Sequence, residues 1–290
     1  MRVLVTGANG QLGHDVVNEL RKRGHKPITS DIAGDMDYLL DITREEVTEQ
    51  VIGIHPDAII HCAAWTAVDA AEDEENKEKV YAINVLGTRN LVNAAKQLDC
   101  RFLYLSTDYV FDGKGERAWQ PDDDSYAPLC YYGETKLQGE FEVRRLVKFF
   151  IVRIAWVFGL HGKNFIQTMV RVGKNHDSVR VVNDQIGTPT YTYDLARLLV
   201  DMIETEKYGY YHATNEGGYI SWYEFCKEIY RQTGMPTKVI PVTTEEYGLN
   251  KANRPFNSRL DKTKLSENGF DRLPDWKDAL SRYLIESGLK

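Results

Sequence analysis

RVLVTGANGQLG, which spans residues 2–13, combines a short apolar run with three regularly spaced glycines. The apolar and β-branched residues 2–6 predict a buried strand. Residues 12–23 place their apolar side chains on one helical face, and Gly24 ends that pattern. The glycines at positions 7, 10 and 13 therefore lie in a tight turn between a strand and a helix.

The turn that contains Gly7, Gly10 and Gly13 has the composition of a phosphate-binding loop. Glycines let backbone N–H groups approach a pyrophosphate, and the start of a helix favours negative charge. Asp31 ends the second predicted strand, at roughly the 20-residue spacing where a carboxylate meets the adenosine ribose of a dinucleotide. A carboxylate repels a 2′-phosphate, so the residues alone favour NADH without excluding NADPH.

Short apolar runs alternate with helical patterns through the first half of the chain. After the first strand and helix, strands are predicted over 26–30, 57–61, 101–106 and 149–154, with helices over 44–52, 79–97 and 133–146. This alternation predicts the α/β class, with a Rossmann-type doubly wound parallel sheet covered by helices on both faces.

The regular alternation ends near Phe158. Helices are predicted later over 193–204, 222–232 and 276–286, joined by proline-bearing loops. We therefore expect a dinucleotide-binding domain over 1–158. Residues 159–290 are expected to form a smaller, mainly substrate-binding C-terminal lobe, with some return to the main domain.

Composition excludes several classes of protein. The net charge of −7 over 290 residues argues against a nucleic-acid partner, which needs a clustered cationic face. No apolar stretch approaches the length of a membrane span. The four cysteines form no CxxC pair, so a disulfide framework or zinc site is not expected. We expect a cytoplasmic protein.

The stretch YGETK begins another predicted helix, with Tyr132 and Lys136 one turn apart on the same face. A phenol normally titrates near pH 10, and a nearby ammonium favours its phenolate and brings it towards the working range of an acid–base group. Thr107 ends a predicted strand at the sheet edge where ligands bind, so its hydroxyl can meet the same substrate oxygen. Tyr131 is the alternative register, but Thr135 would then stand in place of the cation.

Several stretches together resemble the extended short-chain dehydrogenases: the glycine turn, CAAWTAVDAAE (62–72), NVLGT (84–88), STDYVFDG (106–113) and YGETK. Four others are similar to one branch of that superfamily, the dTDP-4-dehydrorhamnose reductases: RIAWVFG (153–159), GKNF (162–165), NDQIGTPT (183–190) and RPFNS (254–258). The resemblance covers nearly the whole chain, and its motifs occur in the expected order.

This resemblance implies reduction of the C4 keto group of dTDP-4-dehydro-L-rhamnose, with NADPH or NADH as the cofactor. It implies a catalytic triad of Thr107, Tyr132 and Lys136. The expected cofactor contacts, including those already inferred from the turn, are Gly7, Gly10, Gln11, Leu12, Gly13, Asp31, Asp41, Ile42, Cys62, Ala63, Ala64, Tyr132 and Lys136. Thr107, Asp108 and Trp156 match residues near the sugar.

Three loops of the second half are expected to close over the sugar, and they carry Asn164, Gln185 and Arg254. A loop guanidinium offers a bidentate fork for a diphosphate, so Arg254 is the first choice for that role. Some members of the branch form dimers through magnesium held by acidic side chains. The chain shows no clear set of such residues, so a homodimer remains open and no metal is expected.

Two alternative functions remain open: a nucleotide-sugar epimerase of the same superfamily, and a non-catalytic regulatory subunit that binds a dinucleotide and a partner protein. The intact Thr107, Tyr132 and Lys136 argue for catalysis. Dehydratases of the superfamily carry an Asp-Glu pair after the threonine, whereas this chain has Asp108 followed by Tyr109.

Overall fold

Strands and helices alternate along residues 1–290, all of which the computed structural model describes. The strands are β1 (Arg2–Thr6), β2 (Lys26–Asp31), β3 (Tyr38–Leu39), β4 (Ala58–His61), β5 (Arg101–Thr107), β6 (Phe149–Ile154), β7 (Val157–Phe158), β8 (Ser178–Val182), β9 (Ile186–Gly187), β10 (Thr190–Tyr191), β11 (Gly209–His212), β12 (Ile220–Ser221) and β13 (Lys238–Val242). The helices are α1 (Gln11–Lys22), α2 (Val47–Ile54), α3 (Glu74–Tyr81), α4 (Thr88–Leu98), α5 (Tyr131–Val143), α6 (Phe165–Gly173), α7 (Thr192–Ile203), α8 (Trp222–Thr233), α9 (Thr244–Tyr247), α10 (Thr263–Glu267) and α11 (Trp276–Glu286).

The central sheet has seven strands in the order β11-β6-β5-β4-β1-β2-β3, and every pair is parallel. Successive side chains of a strand point to opposite faces. Val3 and Val5 of β1 accordingly belong to one core, which α1 and α7 cover, whereas Leu4 belongs to the other, which α2 and α4 cover. Helices on both faces confirm the doubly wound architecture.

The predicted helix over 79–97 is divided into three parts. Between α3 and α4 lies a π-helical turn, Ala82–Gly87, which contains Asn84. Such turns insert an extra residue into a helix and are frequent at functional sites. A hydrophobic periodicity does not reveal such a turn, because it continues through the flanking helices.

The second half of the chain builds a lobe and also returns to the main sheet. Three two-stranded sheets, β7 with β10, β9 with β12 and β8 with β13, lie outside the central sheet. β11 pairs with β6 at the edge of the central sheet, and α7 packs against α1. Residues after 158 therefore serve both parts of the fold, and the division at that residue stays a prediction.

None of the helices combines the length and the apolar character that crossing a membrane requires.

Candidate active site

The glycine turn leaves the amino end of α1 open to a ligand. Gly7 has a φ of +65°, and a Cβ on it would lie 2.7 Å from the backbone N of Ala63. A Cβ on Gly13 would collide with the carbonyl oxygen of Gly7. The first turn of α1 carries no acidic side chain. The turn therefore fits the pyrophosphate of a dinucleotide, because backbone N–H groups and the helix dipole face it without obstruction.

A cavity of about 940 Å³ extends from this turn along the carboxyl ends of the central strands. This volume suits a large small-molecule ligand, since binding cavities usually span roughly 300–1,000 Å³. All the expected cofactor residues line it: Gly7, Gly10, Gln11, Leu12, Gly13, Asp31, Asp41, Ile42, Cys62, Ala63, Ala64, Tyr132 and Lys136. The fold thus brings together residues that are far apart in sequence.

The carboxylate of Asp31 is held by backbone groups at the adenosine end of the cavity. Its Oδ2 accepts a hydrogen bond from the N–H of Asn9 at 3.1 Å, and its Oδ1 accepts one from the N–H of Ile32 at 2.7 Å. Arg44, which follows the strand that Asp31 ends, is mostly exposed and lies 4.0 Å from Asp41.

The three residues of the expected triad line the same cavity. Thr107 ends β5, while Tyr132 and Lys136 occupy the first two turns of α5. Nζ of Lys136 lies 4.0 Å from the ring centroid of Tyr104, a cation–π contact that fixes the ammonium beneath the cavity. Tyr109 packs edge-on against Tyr132, with ring centroids 5.6 Å apart.

Burial controls the protonation of the two titratable residues of the triad. It raises the pKa of Tyr132, and the charge of Asp108 adds to this effect, while a hydrogen bond with Thr107 opposes it. Burial lowers the pKa of Lys136 to about 7, although the Glu140 carboxylate and Cys62 act in the opposite direction. The expectation that Lys136 brings the pKa of Tyr132 towards neutrality is therefore not met in the free protein, where burial raises that pKa and the phenol keeps its proton at neutral pH.

Asp108 follows Thr107 and is buried in the wall of the same cavity. Its Oδ1 accepts a hydrogen bond from the hydroxyl of Thr107 at 3.0 Å. Burial raises the pKa of Asp108 to about 6, against the opposing effect of hydrogen bonds with Ser258 and Thr107. Asp108, Thr107 and Trp156 all line the cavity, and their contact with the sugar, which the resemblance implies, stays a prediction.

Three predicted substrate residues do not line this cavity. Asn164 caps α6, since its Oδ1 accepts from the N–H of Gln167 at 3.1 Å. Gln185 donates to the hydroxyl of Thr244 at 3.0 Å. Arg254 donates to Oδ2 of Asp69 at 2.6 Å. Each makes a contact within the protein, and its assignment to the substrate stays a prediction.

Lys163 lines the cavity beside the glycine turn and was missed from the sequence. Its loop packs on the first turns of α1: the His161 ring lies 3.5 Å from that of His14, and a Cβ on Gly162 would lie 3.8 Å from Cβ of Gln11. The GKNF motif identifies the loop, but it does not indicate that the loop packs against α1. The position of Lys163 directly after Gly162, within a motif of the family, is the one feature of the sequence that indicates a functional role for this lysine.

A buried hydrogen-bond network supports the cavity floor. His61 lies 2.7 Å through Nδ1 from the hydroxyl of Thr6 and 3.2 Å through Nε2 from that of Thr88. Thr88 in turn donates to the carbonyl of Asn84 at 2.8 Å, and the amide of Asn84 donates to Thr135 on α5 at 3.0 Å. Burial lowers the pKa of His61 to about 3, with a further contribution from the charge of Lys136, so this imidazole is neutral at physiological pH.

No group of three or more histidine, cysteine, aspartate or glutamate side chains is arranged to hold a metal ion.

Comparison with known proteins identifies the family. Residues 1–288 match the family described as RmlD substrate binding domain. The spore coat polysaccharide biosynthesis protein SpsK of Bacillus subtilis is 37% identical over 287 residues, which cover 98% of this chain and 97% of that protein.

Two solved structures show the same fold over nearly the whole chain. A dTDP-4-dehydrorhamnose reductase from Clostridium acetobutylicum has a TM-score of 0.92 and 40% identity, with 99% of each chain covered. One from Bacillus anthracis, in complex with NADP, has a TM-score of 0.91 and 41% identity, and covers 98% of this chain and 99% of that one. Because the family match extends over residues 1–288 and these relatives share the fold from end to end, this chain belongs to the RmlD substrate binding domain family.

Proposed function

We propose that this protein reduces the C4 keto group of dTDP-4-dehydro-L-rhamnose to give dTDP-L-rhamnose, a nucleotide sugar used to build cell-surface polysaccharides. One observation carries the proposal: Thr107, Tyr132 and Lys136 line the same cavity as the open glycine turn. The family membership and the reductases among its relatives support the choice of substrate.

When NADPH or NADH is bound, its nicotinamide supplies the hydride that adds to C4, and the cofactor is oxidised to NADP⁺ or NAD⁺. Tyr132 donates its phenolic proton to the C4 oxygen, so that the ketone gains one hydride and one proton and becomes an alcohol. Its raised pKa keeps that proton available at neutral pH. Thr107, which ends β5 beside Tyr132, provides a second hydroxyl to hold the same oxygen.

Lys136 has two functions in this scheme. Its ammonium binds the nicotinamide ribose, and its charge favours the phenolate that Tyr132 becomes after proton transfer. In the free protein burial lowers the pKa of Lys136 to about 7. A bound ligand with negative charge raises this pKa and so favours the ammonium form. The contact with the Tyr104 ring holds the ammonium in place meanwhile.

Either NADPH or NADH can occupy the cleft in this proposal. Asp31 lies where it can accept from the ribose hydroxyls of NADH, and the solved relative with NADP shows that the family also accommodates the phosphorylated cofactor. We further propose that the enzyme acts in the cytoplasm, where nucleotide sugars and reduced dinucleotides occur, and that it forms a homodimer.

The test is direct. Purified protein is mixed with dTDP-4-dehydro-L-rhamnose and either NADPH or NADH, and the loss of absorbance of the reduced cofactor is followed, with UDP-linked sugars as controls. Stoichiometric cofactor oxidation with formation of dTDP-L-rhamnose is expected. Interconversion of sugars without net cofactor oxidation would favour an epimerase, and cofactor binding without turnover would favour a regulatory subunit.

A further inference from the structure

Two of the five tryptophans are arranged differently from the rest. Trp65, Trp119 and Trp276 each donate their indole N–H to a backbone carbonyl, at 3.0–3.2 Å. Trp156 and Trp222 instead stack on each other, with ring centroids 3.8 Å apart and planes inclined by 18°. Of these two, Trp156 lines the cavity, and its N–H has no acceptor within the protein.

The backbone at Trp156 is unusual for a bulky residue. Its φ is +52°, in the left-handed region that side chains other than glycine seldom adopt. The conformation is secured from β10, because the N–H of Thr190 donates to the carbonyl of Trp156 at 3.1 Å. Trp156 is two residues after Ile154, the last residue of β6, which is paired with Thr107. A strained residue is thus held close to the reacting groups.

The indole of Trp156 is confined by two neighbours from the lobe. A Cβ on Gly187 would lie 3.0 Å from Cε2 of the indole, so that side of the ring has no spare room. Trp222 opens α8, where a capping box between Ser221 and Glu224 fixes the helix start. Phe165 packs against the Trp222 ring with centroids 4.6 Å apart, which fixes the stacking partner itself.

We propose that Trp222 is a positioning residue for the reduction: it fixes the Trp156 indole in the cavity wall, where the indole packs against the sugar. This inference rests on the proposed function. A displacement of about 1 Å in a substrate-positioning group can lower the rate on the order of 100-fold. Loss of the rigid support for Trp156 should therefore have a measurable effect on the reaction. Trp222 itself does not line the cavity, and it acts through Trp156.

The experiment compares Trp222→Leu, which removes the stacking face, with Trp222→Phe, which keeps an aromatic ring. Two stacked indoles give an exciton couplet in far-ultraviolet circular dichroism, and both variants should lose it. Trp222→Leu should raise KM for the sugar at least about fivefold and lower kcat, with KM for the cofactor unchanged. Trp222→Phe should recover most of the activity towards the sugar.

Trp276→Phe is the matched control, because Trp276 is an indole buried in the same core, one ring away from the stack. It should lower the melting temperature while keeping the couplet and KM for the sugar. A folded Trp222→Leu protein that has lost the couplet but keeps the native KM for the sugar would overturn the proposal.

If Trp222→Leu does not fold, Gly187→Ala provides a second test of the position of the Trp156 indole, because Gly187 packs against that ring. The added methyl should displace Trp156 and raise KM for the sugar, and an unchanged KM would overturn the proposal. An unsubstituted enzyme that fails to reduce the keto sugar would instead refute the proposed function, so the two failures are distinguishable.

Discussion

Glu140 and Arg153 form an ion pair with no exposed surface, in which Nη2 of Arg153 lies 2.8 Å from Oε2 of Glu140. Glu140 is one turn after Lys136 on α5. Its Oε1 accepts from Nε of Arg153 at 2.9 Å and from the hydroxyl of Ser106 at 2.5 Å. Because Ser106 directly precedes Thr107, the pair connects the helix that carries Lys136 to the strand that carries Thr107.

Glu140→Gln should therefore destabilise the fold strongly. The substitution leaves the Arg153 guanidinium buried without a counter-charge, which typically costs about 3–5 kcal/mol. Urea unfolding at neutral pH measures the loss. Glu142→Gln is the control on the same helix, since its arginine partners Arg89 and Arg145 are 41% and 45% exposed. Exposed pairs are worth about 1 kcal/mol or less, and equal losses for the two variants would contradict the prediction.

Tyr132→Phe should lower kcat by about 10²-fold or more, because it removes the proton donor of the reduction. Cofactor affinity should change little, which fluorescence titration with NADPH would show. Tyr131→Phe is the matched control, since the hydroxyl of Tyr131 donates to the carbonyl of Lys77 at 3.3 Å and faces away from the chemistry. A fully active Tyr132→Phe enzyme would remove Tyr132 from the mechanism.

Asp108→Asn should lower the pKa of the Tyr132 phenol, which an ultraviolet titration of tyrosinate in the unsubstituted and Asp108→Asn proteins measures, with Tyr132→Phe as the reference. The pKa of Asp108 is raised to about 6, so its carboxyl is charged above that pH. That charge helps to raise the pKa of Tyr132. Without it, Tyr132 loses its proton at a lower pH, and reduction requires the protonated phenol. A Tyr132 pKa that stays in place or rises would contradict this electrostatic coupling.

Local patterns in the sequence predicted the parts of the fold and site that depend on neighbouring residues. β1, β6 and α11 begin and end where the apolar patterns indicate. The glycine turn and the Tyr132–Lys136 pair were found because each is specified within one turn of chain. β3 was missed because it consists of two exposed residues with no alternating pattern.

Contacts between distant segments could not be predicted in the same way. Lys163 reaches the glycine turn, and Trp222 reaches Trp156, only because the lobe folds back over the sheet edge. Nothing in the spacing of these residues encodes that approach. The ion pair between Arg254 and Asp69 could not be predicted either, since 185 residues separate the two in the chain.

Asp31→Ala should raise KM for NADH and leave KM for NADPH the same or lower it. The carboxylate lines the cavity beside the glycine turn, where its oxygens accept from the N–H groups of Asn9 and Ile32 and not from a lysine or arginine. A 2′-phosphate there meets a repulsion on the order of 1–3 kcal/mol, which the substitution removes. Steady-state kinetics with both cofactors checks this. An unsubstituted enzyme that strongly prefers NADPH would show that Asp31 does not select the cofactor.

Arg254 lies outside the cavity lining and interacts with Tyr109, the neighbour of Tyr132. Its guanidinium donates to Asp69 at 2.6 Å, and Tyr109, whose pKa its charge lowers against the effect of burial, packs on Tyr132. Asp69 also accepts from the N–H groups of Lys251 and Ala252, at 3.1 and 3.0 Å. Arg254 could thus bind the substrate diphosphate, or it could serve only to hold its own segment against Asp69.

Arg254→Ala should raise KM for the dTDP-sugar at least about tenfold, which corresponds to about 1.4 kcal/mol, with little change in KM for the cofactor. A diphosphate contact is screened by salt, so the difference should shrink as ionic strength rises. Asp69→Asn is the discriminating control: it weakens the ion pair but leaves the guanidinium free for the substrate, so KM should rise far less. Equal effects of the two substitutions on KM and on melting temperature would make Arg254 a purely structural residue.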